Sequence, residues 1–402
     1  MDSTISTVAI LLTIAAVVAM IARRLRLPYT VGLVLAGIAL ALLPRSPEIT
    51  LTKDLIFSTF LPPLVYEAAL YIRWRELARD LPLILIMATL GVLLSAAITA
   101  WGMHTLAHWA WPTAIVLGTL IAATDPVSVI AAFKEADVRG RLRLLVESES
   151  LFNDGTTAVL FGIALTMVTG QSTDAVEIAQ RLLSTVGIGI LSGLLIGGGT
   201  LLLAGRTEDH LVEITLTVVA AFGSFLLAER FQGSGVLASL TAGLLAGNLG
   251  PLGSFSARGR EAVESFWEFI AFVVNSLIFI LIGIREAHQD LIHMLVPIAF
   301  ASGLTILGRA ATVYPICALF THSPLRVKPA WQHVLFWGGL RGTLALALAL
   351  GLPPEVTERE MIITVAFGVV AFSIFIQGLT VLPLISRTSG LPEAIRPGEP
   401  GE

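Results

Sequence analysis

Ile121-Ala122-Ala123-Thr124-Asp125-Pro126-Val127-Ser128 sets a carboxylate directly before a proline in the middle of an apolar run. Proline removes a backbone donor, clashes with the carbonyl one turn back and pushes the preceding residue out of helical geometry. A helix through this run must break there. Freed carbonyls near Thr124 are then expected to become cation ligands, and the N-terminus of the half-helix after Pro126 to stabilise the Asp125 carboxylate. A charge at the centre of a bilayer costs at least about 2.5 to 3.5 kcal/mol, so an ionisable group kept there points to a functional site. The plainer alternative is a proline kink with the aspartate turned toward a water-filled crevice.

The surrounding sequence supplies the bilayer. Of 402 residues, 55% are hydrophobic and 13% charged, and the mean hydropathy is +0.85. Soluble domains carry about 25% charged residues, so the expected fold class is an all-α polytopic membrane protein. Apolar runs near the roughly 20 residues that cross a bilayer fall at 4–22, 29–43, 55–72, 82–107, 112–133, 144–169, 176–204, 211–230, 235–249, 267–284, 291–320, 331–350 and 361–386, thirteen expected spans. No Lys or Arg precedes the first run, so the basic head of a signal peptide is missing and the N-terminus is expected outside. An odd number of spans then puts the C-terminus in the cytoplasm. On that topology 17 of the 25 Lys and Arg lie inside and 6 outside, while Arg309 and Arg341 lie within spans. That asymmetry follows the positive-inside rule and suits a cell (inner) membrane. No loop exceeds roughly 20 residues and 387–402 reads as a short polar cytoplasmic tail, so no soluble domain is expected.

Composition also removes whole classes of function. A net charge of −4 without a long Lys/Arg run argues against nucleic acid as a partner. Cys317 is alone, no HExxH occurs, and no GxxxxGK[ST] loop is present, so neither a redox nor a zinc nor an ATP-driven mechanism has its motif. No cofactor and no enzymatic activity are expected.

The two halves echo each other. Thr30-Val31-Gly32-Leu33 with Leu35-Ala36-Gly37 matches Thr241-Ala242-Gly243-Leu244 with Leu245-Ala246-Gly247. Thr30 stands 95 residues before Asp125 and Thr241 stands 100 before Arg341, so the polar breaks of the fifth and twelfth spans lie at similar depth in each half. Glycine-rich packing in lipid accounts for the glycines but not for matched charged breaks. The expected organisation is an inverted repeat over 1–170, a linking helix over 171–210 and a second inverted repeat over 211–386.

The sixth span opens Glu147-Ser148-Glu149-Ser150-Leu151-Phe152-Asn153-Asp154. At about 100° per residue, Ser150 and Asp154 share a helix face, whereas Glu149 points about 140° away from Asp154. Ser150 and Asp154 can therefore share a ligand with Asp125, Asn153 can steady the broken backbone, and Glu147 is expected in a solvated place near the inner interface.

Thr124-Asp125-Pro126, Glu149-Ser150-x-x-Asn153-Asp154, Leu61-Pro62-Pro63-Leu64-x-x-Glu67 and Gly338-Gly339-Leu340-Arg341-Gly342 together resemble the sodium/proton exchangers of the NhaP type, the Asn-Asp branch of the monovalent cation/proton antiporters. The resemblance spans nearly all of the membrane part, in order. It implies a homodimer of thirteen-helix, inverted-repeat protomers, in which the fifth and twelfth helices cross as broken helices. It implies a Na⁺ site made by the Asp125 and Asp154 carboxylates, the Ser150 hydroxyl and the Thr124 main-chain oxygen, with Glu67 acting from behind them through water. It further suggests that Glu149 pairs with Arg309, with Arg341 as the alternative partner. The long cytoplasmic tail of animal and plant members has no counterpart here, so tail-based regulation is not expected.

Elementary chemistry points the same way. Hard cations prefer oxygen ligands, and burial and mutual repulsion of two carboxylates favour a proton in place of the cation. One site can carry either ion, and the expected exchange is one H⁺ per Na⁺, with Li⁺ or K⁺ as other possible loads. A passive cation channel is the main rival, distinguished by the absence of coupling to a pH gradient. Among the remaining charges, Glu229 and Arg230 are expected to form an interfacial pair and Glu213 to partner Arg206. His104, His108, His288 and His293 are expected to be ordinary interfacial histidines.

Overall fold

A computed structural model describes residues 2–25, 28–43, 51–136, 138–168, 175–250 and 254–388. Arg26, Arg45, Arg396, the junction at 170/171 and the tail beyond Thr388 lie outside the described residues. The described chain is all helix: α1 (Asp2–Leu25), α2 (Tyr29–Ala41), α3 (Leu61–Leu70), α4 (Trp74–Ile86), α5 (Val92–Leu106), α6 (Trp111–Leu120), α7 (Val127–Glu135), α8 (Arg141–Val168), α9 (Ala175–Ala204), α10 (His210–Arg230), α11 (Gly235–Leu249), α12 (Ala257–Glu286), α13 (Leu295–Leu319), α14 (Pro329–Trp337), α15 (Thr343–Leu350), α16 (Arg359–Phe372) and α17 (Gly378–Thr388). π-Helical turns precede α3, join α4 to α5, and join α16 to α17.

Among the described residues, seven helical stretches are long and apolar enough to cross a membrane, the longest being Trp74–Leu106 and Ala257–Glu286. The other expected spans appear as shorter helices or as interrupted pairs. The fifth is split, with α6 ending at Leu120 and α7 beginning at Val127; the twelfth is split between Trp337 and Thr343. Large apolar side chains face outward, among them Leu183, Leu195 and Leu202 on α9 and Leu319 on α13, each more than 60% exposed. A water-soluble protein could not sustain such faces, whereas helices whose backbone groups are satisfied internally can present them to lipid.

Small residues set the closest helix contacts. A Cβ on Gly37 of α2 would stand 2.1 Å from the Ile280 carbonyl of α12, and one on Gly283 would stand 2.1 Å from the Val34 carbonyl. Gly247, which the repeat match aligns with Gly37, is equally tight, 2.0 Å from the Leu70 carbonyl of α3. Thus α2 packs along α12 and α11 along α3. The two pairings correspond when spans of the first half are exchanged, in order, with those of the second.

Candidate cation site

The first break leaves Asp125 between two helix starts. Its Oδ1 accepts from the Val127 N–H of α7 at 3.0 Å, and its Oδ2 from the Thr343 N–H of α15 at 3.2 Å and the Thr343 hydroxyl at 3.5 Å. The Asp125 N–H donates in turn to the Leu340 carbonyl at 2.7 Å, joining the two breaks directly. Helix N-termini carry partial positive charge and unpaired N–H groups, so one carboxylate serves both half-helices.

The opposite ends of the broken helices are met by arginines. Arg341 Nη1 donates to the carbonyls of Ala122 and Ala123 beyond the end of α6, each at 3.1 Å. Arg309 Nε and Nη2 donate to the Leu335 carbonyl in the last turn of α14, at 3.2 and 3.0 Å. The same Arg309 holds Glu149 through two bonds of 2.6 Å, Nη1 to Oε1 and Nη2 to Oε2. The alternative left open by the sequence is thus decided in geometry: Glu149 pairs with Arg309, while Arg341 caps carbonyls. Two carboxylates, Asp125 and Glu149, and two arginines, Arg309 and Arg341, thus meet the positive and negative helix ends at the crossing.

α8 faces the first break with Ser150, Asn153 and Asp154, from two adjacent turns. The Asn153 amide accepts from the Thr124 N–H at 3.1 Å and donates to the Thr124 hydroxyl at 2.6 Å, and the Ser150 hydroxyl donates to the Thr124 carbonyl. The carbonyls of Ala122, Ala123 and Thr124, expected to be free for a cation, are therefore engaged by Arg341 and Ser150 in this state. Pro126 sits at the start of α7, where its missing donor is harmless. Asp154 keeps a buried carboxylate oxygen, Oδ1, without a protein partner.

A cavity of about 900 Å³ reaches these groups and is lined by Thr124, Asp125, Asp154, Glu67 and Tyr29 among others. Its lining includes Lys134 at the end of α7 and Glu268 three turns into α12, which approach each other to 3.6 Å. On the far side of the crossing Leu117, Leu120, Leu346 and Leu348 are almost fully buried. The cavity thus brings Asp125, Asp154, Glu67 and Thr124 together, while Ser150, Asn153, Glu149, Arg309 and Arg341 hold the crossing from behind.

Three carboxylates differ from expectation. Glu147 is nearly buried rather than solvated, since Arg143 one turn earlier donates to it at 2.7 Å and replaces water. Glu213 accepts from the Ser256 N–H at 3.1 Å ahead of α12, a helix start that needs an acceptor, instead of pairing with Arg206. Glu229 accepts from the Gly235 N–H at 3.3 Å instead of forming an ion pair with Arg230. His104 stacks on Trp111 with ring centroids 4.2 Å apart. In the loop before α13, His293 lies 2.7 Å from Asp290 and holds that exposed carboxyl below its ordinary range. Thr343 and Asn275 were not singled out by the sequence; Thr343 was legible as the first residue after the Gly342 break, whereas a lone amide in an apolar span carries no spacing signal.

A sequence profile of the family described as "Sodium/hydrogen exchanger, transmembrane" matches residues 9–387. Over 367 residues the chain is 40% identical to the Na⁺/H⁺ antiporter ApNhaP of Aphanothece halophytica, covering 90% of this chain and 70% of that one. It is 39% identical over 366 residues to the low-affinity Na⁺/H⁺ antiporter NhaS1 of Synechocystis sp., covering 88% and 68%. In fold it is similar to the sodium proton antiporter MjNhaP1 from Methanocaldococcus jannaschii, with a TM-score of 0.74 over 96% of this chain and 97% of that one at 20% identity.

Proposed function

This chain belongs to the family of transmembrane sodium/hydrogen exchangers, and on that premise we propose that it exchanges Na⁺ for H⁺ by alternating access through the crossing of its broken helices. The observation that carries the reading is that two carboxylates, Asp125 and Asp154, line one cavity, and one Asp154 oxygen has no protein partner. Asp125, Asp154, the Ser150 hydroxyl and the Thr124 carbonyl ligate Na⁺, with Glu67 behind them; a proton on the carboxylates replaces the ion. The packed leucines beyond the crossing argue against a continuous pore, and so against a channel.

The finer organisation belongs to the same proposal. Residues 1–170 and 211–386 form inverted repeats joined by 171–210, giving thirteen crossings. The glycine-matched pairing of α2 with α12 and α11 with α3 supports that division. The N-terminus is outside and the C-terminus in the cytoplasm of an inner membrane, which makes the cavity cytoplasm-facing, and two protomers form a homodimer. Loading is one Na⁺ or one H⁺ per cycle, because Asn153 supplies no second titrating carboxylate and an arginine does not deprotonate.

Purified protein in proteoliposomes tests the reading. A preformed ΔpH should collapse on addition of Na⁺ and respond in graded fashion to Li⁺ and K⁺. A gradient that Na⁺ leaves untouched would overturn the exchange reading, and Na⁺ flux indifferent to ΔpH would establish the channel.

A further inference from the structure

Helix α12 presents Glu268, Phe272 and Asn275 to the cavity, one helical face running from the mouth inward. Glu268 meets Lys134 at 3.6 Å at the mouth, and Phe272 stacks against Tyr29 with centroids 6.5 Å apart. Asn275 lies deepest along this face, is 8% exposed, and its Oδ1 is buried without a hydrogen-bond partner. A buried amide oxygen left unpaired is unfavourable and rare in a folded interior. The terminal torsion of asparagine has two broad wells, so the same side chain can turn either its oxygen or its NH₂ group into the cavity.

We propose that Asn275 is a cation-binding residue of the inward cavity, its amide oxygen contacting the alkali cation or its hydration water on the way to Asp125 and Asp154. The inference rests on the exchange reading and deepens it. An amide carbonyl is a hard, uncharged oxygen donor of the type alkali cations accept when they shed water. Because Asn275 does not titrate, it favours the cation without also favouring the proton. It stands on α12, across the cavity from the broken helices, so it engages the ion only while the site faces this cavity.

The test is Na⁺-driven ΔpH dissipation in proteoliposomes by wild type and Asn275→Leu across a pH series. Loss of one oxygen contact to the ion, or of one hydrogen bond to its water, should raise KM for Na⁺ by roughly fivefold. The maximal rate and the proton constant, taken from how KM grows with acidity, should stay within about twofold. Asn275→Ser, which keeps an oxygen, should fall between the two. If Asn275→Leu does not yield a monodisperse protein in detergent, Asn275→Ala takes its place with the same expected rise. An unchanged KM in a folded variant, or Na⁺ and proton constants that move together, overturns the inference. Wild-type protein that couples no Na⁺ flux to ΔpH overturns the exchange reading, and this inference with it.

Discussion

A Cβ placed on Gly342 would stand 1.9 Å from Oδ2 of Asp125. The glycine of the second break is therefore the space in which the carboxylate of the first break sits, and the two interrupted helices form one unit. Gly342→Ala should push Asp125 off the Thr343 N–H without removing any titrating group. A displacement of about 1 Å at a reacting centre costs up to roughly a hundredfold in rate. Exchange in proteoliposomes is expected to fall by at least tenfold on that scale, with insertion and elution volume unchanged; near wild-type exchange would show that Asp125 has room to spare.

Glu149→Gln tests the buried pair. Its side chain and that of Arg309 are 3% and 10% exposed, and removing one member of such a pair costs about 3 to 5 kcal/mol. Thermal unfolding in detergent should therefore shift markedly while the Na⁺ KM of surviving protein changes little. Glu149→Leu combined with Arg309→Met should recover part of the loss, since it leaves no lone buried charge. An unaltered melting temperature with lost Na⁺ affinity would move Glu149 into the ion site.

Asn153→Ala removes both hydrogen bonds that the amide makes to Thr124. An unpaired buried amide group costs about 1 to 3 kcal/mol, and here the group left unpaired is the Thr124 N–H of the proposed cation-binding turn. Stability should drop by that order and the Na⁺ KM should rise together with it. This joint movement separates Asn153, which holds the site, from Glu149, which holds the bundle.

Much of this was legible because prolines, glycines and charges are scarce in apolar helices. Asp125-Pro126 and Gly338 to Gly342 announced the two breaks, and helical angles separated Asp154 from Glu149. What a linear sequence does not contain is which of two buried arginines reaches which acceptor. Arg309 and Arg341 both lie within spans, and only the crossing of the two broken helices, α6–α7 with α14–α15, assigns one to Glu149 and the other to Ala122 and Ala123. The partner of Glu147 was readable at Arg143, one turn away, but proximity to the interface suggested water instead. Asn275 gave no signal, because its meaning comes from the cavity that α12 shares with distant helices.

One-for-one exchange should be blind to membrane potential. With pH equal on both sides, a valinomycin-imposed K⁺ diffusion potential is expected to drive no Na⁺ uptake into proteoliposomes. In the proposed site protons and Na⁺ compete for the same oxygens, so the Na⁺ KM should rise as pH falls. Potential-driven uptake would require a second charge-carrying group that Asn153 does not provide.

The proposed exchange requires that one site hold either Na⁺ or H⁺. Calorimetric titration of the purified protein with Na⁺, repeated in buffers of different ionisation enthalpy, counts the protons released per ion bound. At a pH low enough for the empty site to hold its proton, close to one proton per Na⁺ is expected for the wild type. No Na⁺ binding is expected for folded Asp125→Asn or Asp154→Asn. Na⁺ binding that releases no proton at any pH where exchange runs, or that survives in either variant, would contradict that requirement.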